Sequence, residues 1–367
     1  MAAFELLPVC NLKCRLCYVR KSMAEVNRCG GLRDAEWWLR IAREAGDMGL
    51  CYPLLTGGEP FLHPDFYQIM EGMQDMGLQV SINSNGTLIT RETARWLGKH
   101  RPVRINLTLY GASAETYQNL CGDGGAFFRV QEGVELLKEY GVPVKFNASI
   151  TPQNVHDMEK IVAYAKEVQS PLQAATYMFP PVRRDCTQVG TNDRLSPEKA
   201  ALARVRMDYL QAEPEWFVGQ ALRYRNFVPL EQLPELSGAQ ELGMSCRAGL
   251  CSFWIDWQGR MTNCGIYGST DVVIEGRPFA AAWQELVEKT AAIRYRPACE
   301  RCPNRWLCHP CIAMIATECG SREGRPEYVC RMNEAYARYY PEFARKYYPE
   351  LVEQIRQAAQ DREACER

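Results

Sequence analysis

Three cysteines near the beginning of the chain have the spacing of a metal-binding loop. Cys10-x3-Cys14-x2-Cys17 places three thiols on one short segment. A four-iron cluster needs four ligands, and the next cysteine, Cys29, comes only twelve residues later. Three thiolates would leave one iron open to an added ligand, much as a catalytic zinc keeps an open position. The alternative is a zinc knuckle that lacks a nearby fourth ligand.

A glycine pair follows this loop after one predicted helix and one predicted strand. The segment reads Thr56-Gly57-Gly58-Glu59-Pro60. Adjacent glycines allow a ligand to approach the backbone, and the carboxylate of Glu59 can accept hydrogen bonds from an ammonium group. Alone, the segment could be a turn, but its position after the cysteine loop favours a shared binding site.

Nine further cysteines lie between positions 246 and 330. The chain has 17 cysteines in all and no signal peptide at its start, so we expect a reducing compartment, where structural disulfides rarely persist. An odd total would also leave one thiol unpaired. Most of the cysteines are therefore predicted to be metal ligands.

Eight of these nine thiols are enough to hold two complete four-iron clusters. They are Cys246, Cys251, Cys264, Cys299, Cys302, Cys308, Cys311 and Cys330. Pairs of C-x2-C units are also typical of a zinc ribbon, which remains the alternative. Gly259 fits the corner of a hairpin between Phe253–Trp257 and Arg260–Asn263.

Charge and hydropathy exclude some other classes of protein. The chain carries 43 basic and 44 acidic residues, a formal net charge of −1, which gives no electrostatic reason to bind nucleic acid or an anionic membrane. No window approaches the length of apolar residues that a membrane-spanning helix requires. We therefore expect a cytoplasmic protein without nucleic-acid or membrane partners.

The elements that must position these loops alternate between strands and helices. The predicted strands are Phe4–Val9, Tyr52–Thr56, Leu78–Asn83, Val103–Tyr110, Val144–Ile150 and Leu172–Met178. Helical segments between them predict an α/β fold with a parallel sheet. Six units are too few for a closed eight-fold barrel, so we expect a partial (β/α)6 barrel. The cysteine loop, Gly57–Pro60 and Ser84–Gly86 each follow a strand, where such folds place their chemistry.

The pattern predicts four regions along the chain. The partial barrel spans 1–182, and a polar, proline-containing helical connector spans 183–243. A small cysteine-rich domain spans 244–332, and a helical tail spans 333–367. Arg183 and Arg184, just beyond the last strand, are expected either to meet a substrate carboxylate or to form a solvated face.

The CxxxCxxC loop and the GGEP segment in this frame resemble radical S-adenosylmethionine (radical SAM) enzymes over about residues 4–180. The resemblance implies that the amine and carboxylate of S-adenosylmethionine chelate the open iron, and that Gly57–Pro60 hold the amine. Reductive cleavage would then release a 5′-deoxyadenosyl radical, which abstracts hydrogen from a substrate carbon. The cofactor-binding residues implied are Tyr18, Gly57, Gly58, Glu59, Pro60, Ser84, Asn85 and Thr108.

Two positions depart from the family pattern. Leu16 stands where relatives commonly have an aromatic residue, with Tyr18 just after the third cysteine. Many relatives carry an arginine about a dozen residues after the position of Thr108, whereas this chain has Cys121-Gly122. Binding of the cofactor carboxylate must therefore be arranged in another way.

The C-terminal cysteines resemble the SPASM extension of peptide-modifying members of this family. One spacing differs, with two residues rather than three before Cys311. The resemblance implies one auxiliary 4Fe-4S cluster on Cys246, Cys251, Cys264 and Cys311, and a second on Cys299, Cys302, Cys308 and Cys330. Cys319 is left over and could exchange with a neighbour. Full ligation implies electron transfer rather than substrate chelation.

The function that this resemblance implies is post-translational modification of a peptide or protein. The products would be a thioether, a C–C or C–O cross-link, or an oxidised residue. The expected partners are the peptide, an external electron donor such as flavodoxin or ferredoxin, and possibly a separate leader-recognition protein. The alternatives are a dehydrogenase or decarboxylase of a small molecule or sugar, and a non-catalytic scaffold or electron carrier.

Overall fold

Strand β1 (Ala2–Glu5) lies inside a nine-stranded sheet with the order β6-β5-β4-β3-β2-β1-β7-β8-β9. The computed structural model describes residues 2–191, 193–233, 242–244, 246–268, 270–295, 298–308 and 311–365. Residues 192 and 234–241 of the predicted connector, and 245, 269, 296–297 and 309–310 of the predicted cysteine-rich domain, lie outside the described residues, as do 1, 366 and 367.

The other strands of this sheet are short. They are β2 (Pro53–Thr56), β3 (Ser81–Ser84), β4 (Arg104–Thr108), β5 (Val144–Ser149), β6 (Leu172–Ala175), β7 (Phe253–Ile255), β8 (Arg260–Thr262) and β9 (Val272–Val273). Each neighbouring pair from β1 to β6 is parallel, as the sequence pattern predicts. The α/β prediction with a parallel sheet is confirmed.

Helices connect the parallel strands and cover the sheet. They are α1 (Met23–Arg28), α2 (Ala35–Asp47), α3 (Phe66–Asp75), α4 (Arg91–Lys99), α5 (Ala114–Cys121), α6 (Ala126–Glu139) and α7 (Met158–Glu167). Later in the chain come α8 (Pro197–Gln211), α9 (Pro214–Arg223), α10 (Phe279–Ala291), α11 (Ile312–Cys319), α12 (Glu327–Tyr347) and α13 (Pro349–Cys365). The sequence pattern did not predict α1, α10 or α11.

An apolar row across the sheet forms the centre of the core. Phe4, Leu55, Ile82 and Ile105 are in register on adjacent strands, and each is completely buried. On α2, Trp38 is also completely buried and packs edge-on against Phe4, with 5.8 Å between the ring centroids. Burial of large apolar side chains of this kind is the main stabilising contribution to the fold.

The cysteine-rich region contributes strands to the same sheet. β7 pairs in parallel with β1, and Ala2 lies opposite Phe253. β8 and β9 continue the sheet in antiparallel pairing. The predicted hairpin between β7 and β8 is confirmed: Asp256 accepts hydrogen bonds from the amides of Gln258 and Arg260, at 3.0 Å each.

The predicted connector and tail pack against each other. Val205 on α8, Phe217 on α9 and Tyr340 on α12 belong to one buried cluster apart from the main core. Between 2 and 365, the described helices include none that is both long and apolar enough to cross a membrane.

Candidate active site at the carboxyl ends of β1 to β4

The glycine pair after β2 packs against the backbone that leads into the cysteine loop. The amide of Gly58 donates to the carbonyl of Leu7 at 2.7 Å, and the amide of Glu59 donates to the carbonyl of Val9 at 2.9 Å. A Cβ atom on Gly57 would lie 2.3 Å from the Leu7 oxygen, and one on Gly58 would lie 2.2 Å from the Val9 oxygen. Both positions therefore require glycine, because a side chain would push the cysteine loop away.

Glu59 is completely buried and joins three loops. Its carboxylate accepts hydrogen bonds from the Ser84 hydroxyl at 2.9 Å, the Asn85 amide at 2.7 Å and the Phe61 amide at 3.4 Å. Burial raises the pKa of Glu59 to about 7, although these donors favour the charged form. The carboxylate thus holds the segment after β3 against the segment after β2.

Asn85 carries this connection on to the first predicted cluster ligand. Its side-chain amide donates to the Cys10 sulfur at 3.5 Å and to the Asn11 side-chain oxygen at 2.9 Å. The Leu12 amide also donates to the Cys10 sulfur, at 3.4 Å. Donors aimed at a cysteine sulfur are typical of a sulfur that carries negative charge, as a metal-bound thiolate does.

Cys14 lies in a stretch of the loop that is bound to the end of α5. The amide of Lys13 donates to the Cys121 carbonyl at 2.9 Å, and the amide of Arg15 donates to the Leu120 carbonyl at 2.9 Å. Interaction with the Cys121 thiol lowers the pKa of Cys14, and the same interaction raises the pKa of Cys121. The two backbone bonds fix the middle of the cysteine loop against α5.

The three thiols suit a multi-iron cluster better than a single ion. Burial raises the pKa of Cys10 to about 12 and also raises that of Cys17, with a further contribution from the Cys14 charge in each case. The three groups therefore lie close enough to interact electrostatically. Within the described residues, no three Cys, His, Asp or Glu side chains converge closely enough to hold one ion. In a four-iron cluster each thiolate binds a different iron, so such convergence is not required.

Tyr18 and the two arginines after β6 connect the two cysteine regions. The Arg183 guanidinium lies over the Tyr18 ring, 5.2 Å from its centroid, and the neighbouring Arg184 donates to the Cys264 carbonyl at 3.4 Å. Burial raises the pKa of Tyr18. Arg183 in turn pairs with the Glu5 carboxylate at the end of β1, at 2.7 Å.

Arg183 and Arg184 do not form a solvated face, because each is paired with a carboxylate of the protein, and contact of either with a substrate stays a prediction. Arg183 is engaged by Glu5, and Arg184 donates twice to the Asp271 carboxylate, at 2.9 and 3.0 Å. Both guanidinium groups are therefore held by carboxylates of the protein itself, which neutralise their charge.

The C-terminal cysteines influence one another's pKa values in two sets. Burial raises the pKa of Cys308 and of Cys311, and Cys330, Cys299 and Cys302 raise that of Cys308 further, whereas Cys264 and Cys246 do so for Cys311. Burial also raises the pKa of Cys299 and of Cys330, with a smaller contribution from Cys319 in the same direction. Which cysteines ligate which cluster stays a prediction, as does the ligand role of the exposed Cys251.

The remaining predicted cofactor contacts line the same edge of the sheet. Pro60 is buried and begins a short 3-10 turn directly after Glu59. Thr108 is the last residue of β4 and lies in register with Asn147 on β5. The roles of these residues, and of Gly57, Ser84 and Tyr18, in cofactor binding stay predictions.

Sequence reasoning missed three supporting side chains. Tyr110 lies two residues after the end of β4, a position that could have been examined on the rule that strand ends carry function. Cys121 stood out only as a departure from the family pattern. Asn333 belongs to the predicted tail, and its side-chain amide donates to the Cys308 sulfur at 3.2 Å. No local sequence pattern in the tail indicated a contact with a cysteine.

Comparison with known proteins agrees with this geometry. Residues 4–165 match the model of the Radical SAM superfamily. The AdoMet-dependent heme synthase of Methanosarcina barkeri is 26% identical over 330 residues, which cover 83% of this chain and 91% of that protein. The subtilosin biosynthesis protein AlbA of Bacillus subtilis is 28% identical over 165 residues, 44% of this chain and 36% of that protein.

Among solved structures, the fold is similar to that of native anSMEcpe with bound AdoMet and Cp18Cys peptide. The TM-score is 0.66 with 19% identity, and the match covers 97% of this chain and 99% of the other. The likeness therefore extends through the C-terminal cysteine region as well as the barrel. With the CxxxCxxC loop and its supports at the carboxyl edge of a parallel sheet, residues 4–165 form a domain of the Radical SAM superfamily, and the chain that carries this domain is an enzyme.

Proposed function

We propose that the enzyme modifies a ribosomally made peptide or protein by abstracting a hydrogen atom from a residue and oxidising the resulting radical. The observation that carries this proposal is the closeness of the two cysteine groups. Arg183 lies over the ring of Tyr18, which follows Cys17, and the neighbouring Arg184 donates to the Cys264 carbonyl at 3.4 Å. A substrate bound beside the first cluster would thus have a second group of thiolates close by.

In this proposal, Cys10, Cys14 and Cys17 hold one 4Fe-4S cluster, and eight C-terminal cysteines hold two auxiliary clusters. When bound, the first cluster and AdoMet together supply the 5′-deoxyadenosyl radical. The protein fixes the loop that holds them: Glu59 anchors the segment after β3, and Asn85 donates to the Cys10 sulfur. These groups orient the site without taking part in bond breaking.

The proposed net reaction removes two hydrogens from the peptide. An external donor, such as flavodoxin or ferredoxin, supplies one electron, and AdoMet becomes methionine and 5′-deoxyadenosine after accepting one hydrogen atom from the substrate. The C-terminal cysteines would hold auxiliary clusters that could accept one electron from the substrate radical, which would also lose one proton as a new C–S, C–C or C–O bond or a double bond forms. Oxygen-sensitive clusters would confine this chemistry to an anaerobic, reducing cytoplasm.

The comparisons favour two substrate classes. A structure that contains a peptide is similar over nearly the whole chain, and a bacteriocin biosynthesis protein is similar over the barrel. These relationships support the peptide proposal. The similarity to a heme synthase over 330 residues instead supports the small-molecule alternative.

The deciding experiment measures substrate-dependent consumption of AdoMet. The protein, reconstituted anaerobically with iron and sulfide, is incubated with AdoMet and a reductant, and 5′-deoxyadenosine is quantified. One set of reactions contains peptides encoded beside the gene, and the other contains porphyrin-type tetrapyrroles. We expect peptides to stimulate 5′-deoxyadenosine formation and to lose the mass of two hydrogen atoms. Stimulation by tetrapyrroles alone would contradict the peptide proposal.

A further inference from the structure

The side-chain amide of Asn333 on α12 lies against the sulfur of Cys308. Its nitrogen is 3.2 Å from the Cys308 sulfur and 2.9 Å from the carbonyl oxygen of Val329, one turn earlier on the same helix. A carbonyl oxygen can only accept, so the group that faces Val329 is the NH2 and not the amide oxygen. One N–H is thus bound to Val329, and the other is directed at the Cys308 sulfur.

The helix that carries Asn333 is fixed at this end. Asn333 is only 6% exposed, so water competes little for its amide. The Tyr328 hydroxyl donates to the Leu195 carbonyl at 2.7 Å, which ties the first turn of α12 to the segment before α8. Cys330, another predicted ligand of the same cluster, lies three residues before Asn333 and therefore on the same face of α12.

The loop that carries Cys308 is fixed through Asn304. The amide of Cys308 donates to the Asn304 carbonyl at 3.0 Å. The buried side chain of Asn304 accepts from the Val228 amide and donates to the Val228 carbonyl, at 2.8 Å each. The donor and the acceptor of the hydrogen bond between Asn333 and Cys308 therefore both lie on constrained backbone.

This contact fits a cysteine that ligates a cluster. The sulfur of a protonated thiol is a weak acceptor, whereas a metal-bound thiolate carries negative charge and accepts more strongly. A buried amide N–H that is committed to the Cys308 sulfur is therefore better matched to a thiolate than to a free thiol.

We propose that Asn333 is a positioning residue that donates a hydrogen bond to the Cys308 sulfur and thereby raises the reduction potential of the auxiliary cluster that Cys308 holds. The inference rests on the auxiliary clusters of the proposed function. Reduction adds one electron, and so one negative charge, to a cluster and its sulfur ligands. The donor stabilises the reduced form more than the oxidised form, because hydrogen bonds strengthen with the charge of the acceptor. A higher potential favours electron transfer from a substrate radical to this cluster.

The test is a redox titration of the full-length, anaerobically reconstituted protein, with dithionite as the electron source and electron paramagnetic resonance as the readout. The cluster of interest gives the reduced signal that is missing from Cys308→Ala and that does not change when AdoMet is added. In Asn333→Leu, which has a side chain of similar size without a donor, the ratio of reduced to oxidised cluster at a fixed potential should fall about threefold to tenfold. This change is equivalent to a midpoint about 28–59 mV more negative for one electron. Asn333→Gln keeps an amide donor and should shift the midpoint less.

Asn106→Leu is the matched control. Asn106 is a buried asparagine of β4, and its side-chain amide donates to the Asn83 side chain at 2.8 Å. Loss of this buried hydrogen bond should leave the midpoint of the Cys308 cluster unchanged, because neither residue contacts a C-terminal cysteine. An equal shift in Asn106→Leu and Asn333→Leu would overturn the proposal, because general loosening of the fold would then account for both.

An unchanged midpoint in Asn333→Leu, with full iron content, would overturn this inference alone. Loss of iron from both Asn333→Leu and Asn333→Gln would assign Asn333 a purely structural role. About one third of the expected iron in the wild-type protein, with no signal that is insensitive to AdoMet, would refute the auxiliary clusters themselves. The titration needs no substrate, so failure of the peptide proposal in the assay of AdoMet consumption is a separate result.

Discussion

The Glu5 carboxylate and the Arg183 guanidinium form a buried ion pair, 2.7 Å apart, where β1 ends. The side chain of Glu5 is 2% exposed and that of Arg183 is 17% exposed. Trp254 on β7 also donates to Glu5, at 2.9 Å. One carboxylate thus links the first strand, the segment after the last barrel strand and the C-terminal strands.

Replacing Glu5 by Gln should reduce stability strongly, because it leaves the Arg183 charge buried and unpaired. Loss of one member of a buried pair costs about 3–5 kcal/mol, and partial exposure of Arg183 favours the lower end. Urea denaturation should show this as a lower midpoint. Glu139→Gln, which breaks the exposed pair with Arg91, is the control and should cost less than about 1 kcal/mol. Equal losses in the two variants would argue against the ion pair as a stabilising contact.

Gly58→Ala should displace the cysteine loop, because the new Cβ would lie 2.2 Å from the Val9 oxygen. We expect a loss of about 1–3 kcal/mol or more, from overpacking against rigid backbone. Iron analysis after reconstitution should show about one third less iron, since only one of the three proposed clusters depends on this loop.

Gly219→Ala within α9 is the matched control for Gly58→Ala. Its Cβ would meet no atom within 4 Å, and alanine should stabilise the helix by about 0.5–1 kcal/mol. Normal iron content and stability in Gly58→Ala would show that the loop tolerates a side chain there.

Cys14→Ala should abolish cleavage of AdoMet and leave about two thirds of the iron, because the auxiliary clusters do not use this thiol. Cys308→Ala should also leave about two thirds of the iron but keep cleavage of AdoMet. Cys51→Ala, at an exposed cysteine before β2, should change neither property. Complete loss of iron in Cys14→Ala, or undiminished cleavage, would refute the ligand assignment.

The stability of the metal-free protein should fall as pH rises, through the titration of Glu59. Its pKa is about 7 in the folded chain against 4.5 for an ordinary glutamate. The folded state therefore keeps a proton that the unfolded chain has already lost, and the stabilisation disappears between about pH 4.5 and pH 7. The shift corresponds to roughly 3 kcal/mol.

Glu59→Gln should remove this part of the pH dependence, measured as the unfolding free energy by denaturant titration at several pH values. The control Glu92→Gln, at an exposed carboxyl in the first turn of α4, should retain the wild-type slope. If both variants keep the wild-type slope, Glu59 does not titrate in this range.

The six parallel strands could be predicted because each combines an apolar run with turn residues and a helical segment on either side. Leu55 and Ile82, for example, lie in short apolar stretches that are recognisable locally. The pairing of β7 with β1 could not be predicted, because it joins segments about 250 residues apart and leaves no local pattern.

At the site, residue types indicated the chemistry but not the contacts. The spacing of the three cysteines predicts cluster ligands, and that role stays a prediction. Glu59 was expected to bind an ammonium group, and the structure adds that its buried carboxylate accepts from Ser84 and Asn85. Arg183 was expected to meet a substrate or to form a solvated face, but burial beside Glu5 gives it an internal partner. Which acceptor a polar group finds depends on tertiary packing, which no short motif encodes.

The central place of β1 has a consequence for biosynthesis. Its partner on one side, β2, is translated soon afterwards, but its partner on the other side, Phe253–Ile255, emerges about 250 residues later. At typical synthesis rates, that edge of β1 stays without its partner for roughly 12–50 s. During this interval the open strand could pair with other chains, so slower elongation before residue 253 should increase aggregation of the nascent protein.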